Sequence, residues 1–203
     1  MPQRYRAMFI NSLSGYKSAN LVGTSDSDGN TNLSIVSSVF HLGADPALMG
    51  MIVRPASVRR DTLENILSTQ SYTLNHVHPE IYQQAHQTSA RYEQFESEFD
   101  VVGLTPAYES DFHAPYVKES KLSLGLQLRE HKTLEINGTE MLIGEIMWVN
   151  VIQQAVTEDG YIDIESLQSI CISGLDGYHT TQQISRLEYA KPDLKTREKE
   201  NWK

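Results

Sequence analysis

The sequence predicts a mainly β domain with inserted helices. The first supporting observation is a hairpin signal at Asp28-Gly29, a dipeptide that accepts the positive φ angles of tight turns. The second is a pair of strand-like runs in the C-terminal half: residues 121–129 alternate apolar and polar side chains, and residues 141–151 are largely apolar. Gly144 interrupts the second run, and we expect a bend there. Segments with strand character outnumber those with helical character.

The strand after the Asp28-Gly29 turn has two different faces. Residues 31–40 place Leu33 and Ile35 on one face and Asn32 and Ser34 on the other. This alternation is typical of a half-buried strand.

A strand, a loop, a helix and a second strand follow in that order. Residues 47–53 form a short, almost continuously apolar run, as expected for a covered strand. In residues 62–68, Leu63, Ile66 and Leu67 recur at helical spacing, and Asp61 with Glu64 suggests a capping box at the start of this helix. Residues 71–77 again have strand character.

The remaining segments complete one domain. We predict one or two helices in residues 79–98, an irregular section over 103–115 and a loop over 131–138. The domain is expected to span residues 1–190, and residues 191–203 are expected to form a charged C-terminal tail or arm.

The composition excludes several classes of protein. The formal net charge is −9 and the pI is about 5.2, so a nucleic-acid-binding surface is not expected. No apolar run approaches the roughly 20 residues that cross a bilayer, and we expect no membrane partner. The N-terminal segment lacks the apolar region of a secretory signal, and Cys171 is the single cysteine. We therefore expect a cytoplasmic protein.

A cationic loop stands out against this acidic background. Residues 53–65 carry three arginines and two hydroxyl side chains next to the predicted start of a helix, namely Arg54, Arg59, Arg60, Ser57 and Thr62. Guanidinium groups, hydroxyls and free N–H groups at a helix start all bind oxyanions, so the loop suggests a phosphate site. The alternative interpretation is a solvated turn whose arginines pair with Asp61 and Glu64.

Several short motifs occur in an order that resembles a known family. They are Asp28-Gly29-x-x-Asn32, Ser37-Ser38-Val39-Phe40, Asp45-Pro46, Arg60-Asp61-Thr62-Leu63-x-Asn65-Ile66 and Tyr72-Thr73-x-Asn75. In this order they resemble the flavin reductase-like family of FMN-binding split barrels. The resemblance implies a six-stranded antiparallel Greek-key barrel that binds FMN, with a homodimer that holds the flavin near the subunit interface.

The resemblance also implies the cofactor-binding residues. The flavin ring would be lined by Asn32, Ser37, Ser38, Val39 and Phe40. The ribityl phosphate would be held by Arg54, Ser57, Arg59 and Thr62.

Catalytic residues are less evident than binding residues. Tyr178 and His179 are similar to a Gly-rich segment that family members place beside the flavin, although here two residues separate the glycines. His179 is therefore the one weak catalytic candidate, with a structural turn as the alternative. We predict no metal site, because spacing suggests no third ligand for the pair His76 and His78.

The resemblance implies an NAD(P)H-dependent flavin reductase that transfers hydride to flavin. The nicotinamide would be a transient co-substrate, and a partner oxygenase is one expected recipient of the reduced flavin. Two alternatives stay open: an FMN-binding or carrier protein without significant turnover, and a protein whose arginine loop holds another phosphorylated ligand, such as a pyridoxal phosphate-like compound.

We predict that Arg59→Ala weakens FMN binding by about 1.5 to 3 kcal/mol, the usual contribution of a hydrogen bond to a charged group. A flavin fluorescence titration measures the change. Unchanged affinity would remove Arg59 from the site.

Overall fold

The computed structural model describes residues 1–55, 60–93 and 96–200, and a large antiparallel sheet dominates it. The helices are α1 (Gln3–Ser12), α2 (Asp61–Thr69), α3 (Tyr82–Gln87) and α4 (Glu98–Val102), with a 3-10 turn at Gln153–Ala155. The strands are β1 (Lys17–Ser18), β2 (Asn20–Ser25), β3 (Thr31–Val36), β4 (Val39–Ala44), β5 (Ala47–Val53), β6 (Ser71–His76), β7 (Pro106–Ala107), β8 (Tyr116–Val117), β9 (Leu122–Leu134), β10 (Thr139–Val151), β11 (Cys171–Ser173) and β12 (Gly177–His179).

The main sheet has seven strands in the order β3-β2-β6-β9-β10-β5-β4. Two smaller sheets have the orders β1-β11-β12 and β7-β8. The mainly β class is confirmed, and the sheet contains one strand more than the six we expected. Of the described helices, none is long and apolar enough to span a membrane.

A short link between the two edge strands makes the sheet curl. The edges β3 and β4 are consecutive in the chain and are joined only by Ser37 and Ser38. Ser38 already belongs to the far edge, because its carbonyl accepts a hydrogen bond from the N–H of Ile52 on β5 at 3.1 Å. The edges therefore meet at the Ser37-Ser38 end, which gives a barrel that is split rather than closed by a continuous ladder.

Side chains cover the open edge of β3. The N–H of Leu33 donates to the carboxylate of Glu98 on α4, and the N–H of Ile35 donates to the hydroxyl of Thr88, each at 2.9 Å. These groups replace a neighbouring strand and protect an edge that could otherwise pair with another chain. Burial raises the pKa of Glu98, against the lowering effect of the Leu33 hydrogen bond.

Apolar clusters cover both faces of the β2-β3 hairpin. One cluster joins Leu33 to Ala85 and Phe99 from α3 and α4. The other joins Val22 to Leu63 and Ile66 from α2 and to the interior of the curled sheet. Strand β3 confirms the predicted alternation of its two faces. Leu33 is fully buried on the α3 side, while Asn32 and Ser34 face α2.

The structure refines three predictions about individual elements. The predicted loop over 131–138 is half strand: β9 continues to Leu134 because β10 pairs with it there, and residues 135–138 form the turn. Of the three apolar residues at helical spacing in α2, Leu63 and Ile66 are buried and Leu67 is 36% exposed, while the polar Thr62 and Asn65 are also buried. The N-cap of α2 is Arg60, which makes no side-chain cap hydrogen bond, so Asp61 is the first helical residue rather than the cap.

Gly144 marks the expected irregularity in β10. The register between β9 and β10 shifts between Ile143 and Gly144. A Cβ at position 144 would collide with the phenol hydroxyl of Tyr72, a side chain with no exposed surface. Burial raises the pKa of this hydroxyl, and it has no hydrogen-bond partner among the described residues.

We predict that Gly144→Ala lowers the free energy of unfolding by about 1 to 3 kcal/mol, because overpacking forces a buried ring to move. Urea denaturation measures the change. Gly43→Ala is the matched control: its nearest neighbour is 3.4 Å away, so it should cost clearly less. Equal losses in the two variants would contradict the steric explanation.

Candidate functional site

A buried polar network connects β3 to the start of α2. The Asn32 side-chain amide donates to the hydroxyl of Thr62 at 2.9 Å, and the Ser34 hydroxyl lies 2.9 Å from the same oxygen. Asn32 and Thr62 are each 9% exposed. The structure thus brings together two residues that are 30 positions apart and that the sequence placed in one site.

The same network also includes Thr24 on the neighbouring strand β2. The Thr24 hydroxyl accepts hydrogen bonds from the side-chain amides of Asn32 and Asn65, at 3.3 and 3.2 Å. Thr24 is fully buried, so these bonds form away from water and fix the two amides in place. The N-terminal turn of α2 is therefore held at a defined position against the sheet.

Arg60 is the most unusual group at this position. Its Nε atom is buried and finds no acceptor within the described ranges. Burial lowers the pKa of Arg60, and the positive charges of Arg54 and Arg91 lower it further. A partly buried guanidinium whose Nε has no acceptor among the described residues is costly in the field of two other cations, so this arrangement favours an anion that would pair with it.

The backbone adds to the positive potential beside Arg60. Arg60 precedes the first turn of α2, where N–H groups lack partners within the helix. Asp61 and Glu64 lie in that turn, and both have interaction partners of their own. The cationic cluster, defined here as Arg54, Arg60 and Arg91, offers positive charge that suits a phosphate-sized anion at the start of α2.

The Ser37 to Phe40 segment forms the other half of the predicted site. The Ser38 hydroxyl donates to the carbonyl of Ile52, so it is tied to β5. The Phe40 ring lies across Gly50, where a Cβ would overlap it, and Val39 packs on the apolar interior. Ser37 is half-buried. This segment begins one residue after β3 ends, so it lies at the opposite end of that strand from Asn32.

His179 and Tyr178 lie in the small sheet. The Nε2 atom of His179 is 2.8 Å from the Ser173 hydroxyl, and its ring packs edge-on against Tyr16 at 4.9 Å. The Tyr178 hydroxyl is 2.8 Å from Nδ1 of His86. These contacts hold the β11-β12 hairpin, and a catalytic role for His179 stays a prediction.

Three of the predicted phosphate-binding residues lie between β5 and α2 in the chain. Arg54 is exposed at the end of β5. Ser57 and Arg59 lie outside the described residues. Sequence reasoning did not assign Ser34 or Arg91 to the site. Strand alternation places Ser34 on the face of Asn32, whereas no local signal connects Arg91 to a loop more than 30 residues away.

A model of the flavin reductase-like domain matches residues 13–165, about three quarters of the chain. The chain belongs to the flavin reductase-like family. The family resemblance that the sequence motifs suggested is thereby confirmed.

Solved structures agree with the split-barrel fold. A proposed flavin reductase with a split barrel domain from Shewanella frigidimarina is 60% identical, with a TM-score of 0.91 and 94% of each chain covered. Component B of nitrilotriacetate monooxygenase from Bacillus cereus is 21% identical, with a TM-score of 0.82 over 90% of this chain and 93% of that one. An FMN-binding protein from Thermus thermophilus is 15% identical, with a TM-score of 0.66 over 81% and 86%. The last two similarities concern the fold alone.

Proposed function

We propose that this member of the flavin reductase-like family binds FMN and uses NAD(P)H to reduce flavin. The observation that carries the proposal is the buried Nε atom of Arg60, which has no acceptor among the described residues. A dianionic phosphate on a cofactor satisfies this donor and offsets the mutual repulsion of the cationic cluster.

The residues present fit FMN at both ends of β3. Arg60, with Arg54 and Arg91, would hold the phosphate, and Thr62 would add a hydroxyl. The Ser37 to Phe40 segment would line the ring at the far end of the strand. Bound FMN supplies the hydride-accepting chemistry. The chain's own part is to hold and orient the cofactor, since the Asn32-Thr62 network fixes the helix start that carries the phosphate contacts.

We also propose a homodimer that holds the flavin near its interface, in the cytoplasm, and a partner oxygenase that receives the reduced flavin. The partner proposal draws support from the similarity of fold to component B of nitrilotriacetate monooxygenase.

We predict that Arg60→Gln weakens FMN binding about 10- to 150-fold, because it removes a charged hydrogen bond worth roughly 1.5 to 3 kcal/mol. Flavin fluorescence titration measures this. Riboflavin, which lacks the phosphate, should lose little affinity. Arg129→Gln is the matched control, because Arg129 is paired with Glu145 on the surface of the sheet. An equal loss for riboflavin and FMN would mean that Arg60 does not recognise the phosphate.

Steady-state oxidation of NADH and NADPH with added FMN tests the reductase activity. We predict turnover that depends on flavin and saturates with the nicotinamide, and anaerobic bleaching of the bound flavin. Binding without turnover would support a carrier instead. A protein that never binds FMN, with no FMN-dependent thermal shift, would leave another phosphorylated ligand as the occupant of the cationic cluster.

A further inference from the structure

A cavity lies at the opposite end of the sheet from the cationic cluster. It has a volume of about 210 Å³ and opens between β1, the end of β6 and the start of β11. Its polar lining comes from Tyr16, Lys17, Ser18, His76, Ser169 and Thr181. A smaller neighbouring cavity of about 200 Å³ shares Ser169 and Thr181 with it, so Thr181 stands between the two.

The floor of this cavity is largely apolar. Ala19, Ile170 and Cys171 are each less than 9% exposed and form its base. Lys17 also contributes to the lining, but its ammonium group donates to the carbonyls of Asn11 and Gly174. His76 also lines the cavity, and its Nδ1 is 2.9 Å from the Ser169 hydroxyl. Burial lowers the pKa of His76 to about 4, so the ring is neutral at pH 7.

The mouth of the cavity carries hydroxyl groups that are able to donate. The Tyr16 and Thr181 hydroxyls have no hydrogen-bond partner in the described part of the chain, and both residues are exposed. The Ser18 hydroxyl accepts from the side-chain amide of Asn20 at 2.9 Å, which leaves its own proton free to donate. A ligand with an acceptor oxygen at the mouth and an apolar body at the floor matches this distribution.

We propose that this cavity binds a small ring compound that carries a carbonyl oxygen. The ring would pack on Ile170 and Cys171, and the oxygen would accept hydrogen bonds from Tyr16 and Thr181. The volume suits a single ring, since an apolar cavity of about 150 Å³ holds benzene.

The cavity is separate from the phosphate end of the proposed flavin site. His76 on β6 pairs with Asn20 on β2, and Asn20 pairs in turn with Val36 on β3. Val36 lies at the opposite end of β3 from Asn32. The ligand would therefore lie towards the Ser37 side of the sheet. The inference does not require that flavin is bound, so it is tested on the flavin-free protein.

Acetophenone is a suitable probe, because it is a neutral single ring with one carbonyl. We expect it to shift the amide NMR signals of residues 169–171 in a saturable titration. Ethylbenzene has the same ring but lacks the carbonyl, and it should bind about tenfold more weakly, the effect of one lost hydrogen bond.

Thr181→Trp should abolish the shifts, because the indole fills the mouth from an exposed position where folding is not at risk. Gln182→Trp is the matched control at the next residue, also exposed and outside the lining, and it should keep the affinity. The proposal is overturned if acetophenone gives no saturable shifts, if Thr181→Trp leaves them intact, or if ethylbenzene binds as tightly as acetophenone. Displacement of acetophenone by FMN would also overturn it, since the cavity would then be the flavin ring pocket. FMN binding measured separately on the same variants reports on the proposed function alone.

Discussion

The two-residue connection between the edge strands is the constraint on which the rest of the structure depends. Ser37 and Ser38 are the only residues between β3 and β4, yet five other strands separate these two in the sheet. The sheet must therefore curl until its edges meet at this link. The curl creates an interior for the apolar side chains of β5, β6, β9 and β10, and α2 closes it. The same curl leaves the β3 edge open beyond the link, where Thr88 and Glu98 satisfy its N–H groups.

This geometry explains why polar groups are buried where β3 meets α2. The fixed Asn32 and Asn65 amides both bond to Thr24, and the Thr62 hydroxyl completes the network. Because buried polar groups are stable only when they are satisfied, the network specifies one position for the helix start. Arg60 immediately precedes that start and is not satisfied among the described residues. A saturated network thus lies next to an Arg60 Nε that has no acceptor among the described residues, and the proposed phosphate would supply that acceptor.

Much of the fold was predictable from local patterns. Period-two alternation located β3 and its two faces, and the family motifs placed Asn32 and Thr62 in one site. The errors came from tertiary contacts. The 131–138 segment looks like a loop, but β10 supplies hydrogen bonds that keep residues up to Leu134 extended. Leu67 has helical spacing, but α2 packs with its polar Thr62 and Asn65 inward because the network accepts them. Helix α1 buries none of its residues, so apolar periodicity gave no signal for it.

By itself, the sequence determined the class of the fold, the position of the hairpin, the cationic loop and the family, because these depend on side chains that are close in the chain or that occur in a fixed order. Only the tertiary structure decided which cations act on one another. The positive charge of Arg91 lowers the pKa of Arg60 although 31 positions separate the two residues. Thr88 and Ser97, on either side of Arg91 in the chain, bond to Ile35 and Thr31 on β3, and no local pattern encodes these contacts. The cavity beside β1 also depends on tertiary structure. Tyr16, His76 and Thr181 lie far apart in the chain and share a site only because β1, β6 and the segment after β12 converge.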